Sequence, residues 1–315
     1  MSEKVQNIVY APLGLFLHAV ALLPLRALYA FADFLFFVVY YLLRYRRSIA
    51  LKNIRDSFPE KSDLECRKIC RDFYRHFADY FVETIKLLHI SDDEMRRRME
   101  FRNVEFIDEC LDSGRSAVVY LGHYGNWEWV TSITLWSRHT DRSKVLFTQV
   151  YRPLNNQWFD RFFLRLRGRF HSVGFPKKTV FRSLLTLKRD GILSVTGFMS
   201  DQHPSINDQD HVVRFLNHDT ALITGTEILA RRLDNEVLYF DVAKPSRGHY
   251  VCTIRKIATD PNAVHPFYIT DRYARLLQAD IVSDPSIWLW THNRWKHKVK
   301  SASPLSDVDK EIENE

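Results

Sequence analysis

The chain has 315 residues, 46% hydrophobic, 14% aromatic and 26% charged, with 45 Lys+Arg against 38 Asp+Glu. So many apolar side chains at a net charge of +7 exclude a disordered chain, and 10 Gly with 11 Pro exclude collagen-like or low-complexity sequence. Four scattered cysteines exclude a disulfide scaffold, while the basic balance calls for an anionic partner: an acidic membrane, an acidic protein or nucleic acid.

The first 43 residues are apolar although the mean hydropathy of the whole is −0.27. Two segments, Ile8–Leu25 and the run ending at Leu43, are interrupted by Pro12, His18, Pro24 and Asp33. The second is long enough to cross a bilayer or to lie in its interface. Arg44, Arg46, Arg47, Lys52 and Arg55 follow, against Lys4 before it. By the positive-inside bias the remainder then sits on the cytoplasmic side. Residues 1–45 are therefore expected to be a membrane anchor, single-pass or monotopic, as one helix or a hairpin. Asp63–Ile90 spaces Cys66, Ile69, Cys70, Phe73, Phe77 and Phe81 by threes and fours, which predicts an amphipathic helix with that stripe inward. Cys66, Cys70 and His76 can also be read as metal ligands, but small buried cysteines on a core stripe are the commoner case.

From residue 116 the pattern alternates. Apolar runs at 116–122, 144–150, 191–199, 236–243 and 250–257 read as strands, with helices near 125–138, 154–168, 177–189 and 220–233. This predicts an α/β fold: a mixed sheet covered by helices, spanning 46–300. Residues 301–315 are polar and acidic, and a disordered tail is expected there.

Within this pattern, VVYLGHYGNWEWV (118–130) joins a buried strand to a glycine-flanked histidine and then to an acid. Gly122 and Gly125 break the chain, so His123 can sit in the turn while Glu128 occupies the first turn of the next helix, and the two side chains can meet. A carboxylate on one imidazole nitrogen fixes the tautomer and raises the basicity of the other, as a general base requires. The alternative is an ordinary capping or surface histidine.

GHYGNWEW resembles the histidine–four residues–acid motif of the glycerolipid acyltransferases. More broadly, the chain resembles the late lipid A acyltransferases, the lauroyl/myristoyl transferases of Gram-negative inner membranes. The similarity runs through NIRDSFPE (53–60), the histidine segment, VYRPLNNQWFDRFFLRLRGRF (150–170), Asp201-Gln202, FLNHDTALITGTEILARR (215–232) and PSIWLWTHNRWK (285–296). It implies a glycerolipid-acyltransferase-like fold, His123 as general base, Glu128 as its acidic partner, and an arginine of RLRGR (165–169) stabilising the oxyanion. Arg167 is favoured, with Arg169 next, although Arg161, Arg165 and Arg167 also suit a solvated helix face.

Asn126, Arg152, Arg169, Asp201, Gln202 and Glu227 are the expected substrate contacts. Asp201 serves equally well to shape the pocket, because His203 departs from the family's Asp-Gln-Asp. Glu227 faces either the pocket or Arg231 one helical turn on. Trp288, Trp290 and Trp295 are expected in packing or interfacial anchoring. The implied reaction takes an acyl group from an acyl carrier protein thioester to a hydroxyl on a phosphorylated lipid A precursor, at the inner membrane. A lysophospholipid or another glycolipid is the alternative acceptor, and a non-catalytic protein binding anionic lipid the rival outside catalysis. No metal or nucleotide cofactor is implied, GxSxG is missing, and no nucleic-acid motif accompanies the basic stretch 161–189.

Overall fold

The apolar start folds as two helices, α1 (Glu3–Leu22) and α2 (Leu25–Phe37), the latter continuing as a π-helical turn over Val38–Leu42. Between them Pro24, with φ −63° and ψ 146°, is extended and ends one helix while opening the next. Each helix is long and apolar enough to cross a membrane by length and composition. The structure, a computed structural model, describes residues 3–205, 209, 211–297 and 299; the expected tail at 301–315 lies outside them.

Helices α3 (Arg47–Ser57), α4 (Asp63–Lys86) and α5 (Asp92–Arg98) follow. Ser62 and Glu65 form a reciprocal capping box that starts α4. The predicted stripe of α4 is buried at Cys66, Cys70 and Phe73, but Phe81 is 44% exposed. Instead the buried face carries Val82 together with His76, Asp79, Glu83 and Lys86.

The remaining elements alternate. They are β1 (Met99–Arg102), α6 (Glu105–Asp112), β2 (Ala117–Leu121), β3 (Val145–Tyr151), α7 (Gln157–Arg167), β4 (Val173–Pro176), α8 (Val180–Arg189) and β5 (Leu193–Met199). Next come the hairpin β6 (Val212–Phe215) and β7 (His218–Ala221), then α9 (Gly225–Leu233), β8 (Glu236–Ser246), β9 (His249–Ala258) and α10 (Tyr268–Ser283). Seven strands form one sheet in the order β1-β9-β8-β2-β5-β3-β4, and only β8 and β9 pair antiparallel. The mixed α/β sheet predicted from the sequence is what forms.

Crossovers between parallel strands are right-handed. The outward link β3–α7–β4 therefore lies on one face of the sheet, and the returning links through α8 and α9 on the other. α10 shares the second face, where Tyr273 meets Tyr120 of β2 at 4.6 Å. Central β2 (AVVYL) is buried at every residue, as expected of a strand covered on both faces.

Three local predictions differ. The helix expected over 125–138 is a 3-10 helix, Trp129–Leu135, because residues 122–128 stay in turns held by Gly125 at φ +62°. Residues 220–233 divide into β7 and α9, and the four-residue strands β1, β4, β6 and β7 are too short to show a period. Leu216 and Asn217, both at positive φ, make the tight turn between β6 and β7.

Candidate active site

Strands β2 and β5 lie side by side in parallel, with Leu121 paired to Met199. Two residues further along each strand, the same register sets His123 opposite Asp201. This is the carboxyl edge of the sheet, where α/β folds place ligands. The His123 amide donates to Asp201 Oδ2 at 2.8 Å, and its ring Nδ1 lies 2.6 Å from Asp201 Oδ1. The indole Nε1 of Trp288 donates to Oδ2 at 2.9 Å.

Burial alone would raise the Asp201 pKa, but the facing imidazole and these three donors hold it well below the usual carboxylate range. An ionised Asp201 can only accept, so Nδ1 donates to it and Nε2 is the ring nitrogen that Asp201 does not engage. Nε2 faces a cavity of about 740 Å³, with Gln202 Nε2 at 3.2 Å.

The carboxylate on His123 is thus Asp201 and not Glu128, which corrects the pairing expected from the sequence. Glu128 precedes a 3-10 helix rather than lying in an α-helical turn. It turns to Arg167, which donates from Nε and Nη2 at 2.8 and 2.7 Å. Tyr80 Oη adds a bond to Glu128 at 3.3 Å. Burial would lower the Arg167 pKa, yet the bidentate carboxylate raises it and keeps the guanidinium charged. Both members of the pair line the same cavity as His123.

Two glycines permit this crowding. A Cβ on Gly122 would come within 2.6 Å of Leu277 on α10, and one on Gly125 within 2.7 Å of Val242. The segment after α10 closes the loop from behind. Gly125 N donates to Ile287 O at 2.9 Å, and Leu289 N to His123 O at 3.1 Å. Trp288 and Trp290 are buried, which rules out interfacial anchoring for these two, and the bond to Asp201 gives Trp288 a task beyond packing.

The other candidates divide. Arg152 and Gln202 line the cavity. Asn126 is fully buried, giving its amide to Glu83 and accepting from Trp129 N, so it holds the loop instead of meeting a substrate. Arg169 binds Ile90 O and Asp92, outside the cavity. Glu227 takes the salt-bridge option with Arg231 and accepts from Phe267 N and Thr270 N. His76 bonds to Gly125 O, while Cys66 and Cys70 are free and buried. Among the described residues no cluster of three His, Cys, Asp or Glu is disposed to hold a metal ion.

Sequence reasoning missed Tyr80, Trp127, Phe163 and Arg232, which also line the cavity, as does Lys177 of the basic stretch 161–189. A smaller apolar cavity of about 60 Å³, lined by Val119, Ile133, Phe147 and Val195, shares Trp127, Val150, Met199 and Arg167 with the first.

A family profile described as bacterial lipid A biosynthesis acyltransferase matches residues 4–297. A lipid A biosynthesis palmitoleoyltransferase of Escherichia coli (strain K12) is 22% identical over 269 residues, 84% of this chain and 83% of that protein. A lipid A biosynthesis acyltransferase of Shigella flexneri matches to the same extent. With a family match over nearly its whole length, the chain belongs to the bacterial lipid A biosynthesis acyltransferases.

Proposed function

We propose that the enzyme moves a fatty acyl chain from an acyl carrier protein thioester to the 3-hydroxyl of a hydroxyacyl chain on a phosphorylated lipid A precursor, with His123 as general base. The observation that carries this reading is the imidazole locked by Asp201 with Nε2 on the cavity wall.

His123 Nε2 takes the proton of the acceptor hydroxyl as its oxygen attacks the thioester carbonyl carbon. Charge moves to the carbonyl oxygen, where Arg167 offsets it with N–H groups that Glu128 leaves unused. Preorganised donors of this kind contribute about 3–4 kcal/mol. When the tetrahedral species collapses, the C–S bond breaks and the imidazolium gives its proton to the departing thiolate. The products are an ester and a free carrier thiol. Glu128 fixes Arg167, a role distinct from partnering the histidine. The apolar cavities take the acyl chain, its distal carbons reaching between Val119 and Phe147. Arg152, Lys177 and Arg232 meet phosphates or an acidic carrier at the mouth.

The membrane reading is monotopic. α1 touches the body at both ends: Gln6 accepts from Trp158 N on α7, and the carbonyl of Ala21 accepts from Lys86 on α4. α2 is held to α4 through Leu28, Ala32 and Phe36, buried in the core. Outward they present Ile8, Leu15, Phe16 and Phe34. Helices fastened along their length to the body lie in one leaflet. With Arg44, Arg46 and Arg47 beside them, residues 1–45 hold the catalytic region 46–300 on the cytoplasmic side of the inner membrane.

The test is acyl transfer by detergent-purified protein from a labelled acyl carrier protein thioester, with a lipid A precursor or lysophosphatidic acid as acceptor and His123→Ala beside each. Transfer to the lipid A precursor alone, lost in the variant, is expected. Transfer to lysophosphatidic acid alone would overturn the acceptor, and an active His123→Ala would overturn the base.

A further inference from the structure

α4 buries a polar stripe at His76, Asp79, Glu83 and Lys86, spaced by three, four and three so that it occupies one helix face. Acidic and basic side chains are rarely buried unless each is partnered. On one side, the stripe's partners belong to the membrane helices. Lys86 Nζ donates to the carbonyls of Ala21 and Leu23 at the end of α1, at 3.1 and 2.9 Å. Tyr29 Oη of α2 donates to Glu83 Oε1 at 2.9 Å. Asp79 binds Arg247, which also grips Asp33 of α2 at 2.7 Å.

On the other side, the partners are residues of the loop that carries His123, with Lys244 of β8 and Tyr250 of β9. Glu83 Oε2 accepts from Asn126 Nδ2 at 2.7 Å and from Tyr250 Oη at 2.8 Å, while the Glu83 carbonyl accepts from Trp129 Nε1 at 3.1 Å. His76 Nε2 meets Gly125 O at 3.1 Å, and its Nδ1 meets Lys244 Nζ, also at 3.1 Å. Glu83 is fully buried, so each of its bonds is expensive to leave unmade.

We infer that Tyr29 and Glu83 are positioning residues: through Asn126 they couple the membrane helix α2 to the order of the active-site loop 122–130. Without its anchor helix docked, the loop loses a support on its buried side, where Asn126 is held through Glu83. The Tyr29 link is the stronger arm, because Asp33 is exposed and an exposed ion pair contributes little. The inference concerns loop order. It rests on the loop carrying the active site but not on the identity of donor or acceptor.

Hydrogen exchange on the full chain in detergent, comparing Tyr29→Phe and Glu83→Gln with the parent, tests it directly. Tyr10→Phe is the control, since Tyr10 ties α1 to Asn156 by one hydrogen bond and does not touch the stripe. Loss of one hydrogen bond corresponds to about a 3- to 10-fold change in an opening equilibrium. Tyr29→Phe is expected to speed exchange in peptides covering 122–130 by that factor, to lower kcat, and to leave donor KM unchanged. Tyr10→Phe is expected to leave the loop and kcat as they were. Unchanged exchange in 122–130, or exchange accelerated evenly over the whole chain, would overturn the inference. The exchange result stands whichever acyl acceptor proves correct.

Discussion

Among the described residues His123, His139 and His211 each meet an aspartate, and of these three only His123 lines the cavity. His123 binds Asp201 through Nδ1 and turns Nε2 to the cavity. His211 spends Nε2 on Asp271 and lies flat against Phe267, with ring centroids 4.2 Å apart, outside that cavity. A His–Asp pair is therefore not an active-site signature in itself. What distinguishes a base is a second ring nitrogen facing a space that a substrate can occupy. The glutamate–arginine pairs repeat the lesson. Arg167 joins Glu128 on the cavity wall, whereas Arg231 joins Glu227 and is covered by the carbonyls of Pro261, Val264 and His265.

The largest expected difference lies between the histidine pairs. His123→Ala should lower kcat by about 10²–10⁴, and Asp201→Asn by up to about 10⁴, because an amide admits the wrong tautomer. His211→Ala should leave kcat of the folded enzyme near the parent value. Steady-state transfer assays on all three break the comparison if His211 matters as much as His123.

Next come the arginines. Arg167→Ala should cost about 10²–10³ in kcat and also destabilise the fold, since Glu128 is left buried without its cation. Arg231→Ala should lower the unfolding midpoint while the folded fraction keeps its kcat. Measuring both quantities on both variants separates a wall of the site from a tie in the scaffold.

The smallest effect contrasts two carboxylates. Asp201 is depressed by its imidazole, whereas burial, reinforced by the charge of Asp241, pushes Asp280 up to about 7. Between about pH 4 and pH 7 the folded chain keeps the Asp280 proton and the unfolded chain has lost it, so this group's contribution to stability falls as pH rises through that window. The slope is at most about 1.4 kcal/mol per pH unit. Denaturant midpoints across this range should therefore decline less for Asp280→Asn than for the parent.

The strand–glycine–histidine run at 118–125 was legible because a buried strand, a tight turn and an imidazole each leave a local mark. The partner of His123 was not, since Asp201 reaches it only through the lateral pairing of β2 with β5, and strand order is written nowhere in local periodicity. Glu128 was misread for a related reason: five residues of turn, rather than helix, decide which way it faces. The stripe on α4 was hidden by its charges, which look like a solvated face until the two N-terminal apolar helices and the 122–130 loop are packed on either side. The apolar helical start and the mixed sheet, by contrast, follow from hydrophobic runs long enough to fix their own form, although the sequence left one helix or a hairpin open and the structure has two helices.

The closure of the 122–130 loop by Gly125–Ile287 and Trp288–Asp201 has a consequence in time. A chain leaves the ribosome from its amino end, so the apolar helices α1 and α2 emerge well before residue 287. While synthesis is under way the imidazole exists, but neither the strand bridge behind it nor the indole on its aspartate has yet been made. Until Trp288 has folded back, the His123–Asp201 pair therefore lacks the indole that completes its hydrogen bonding.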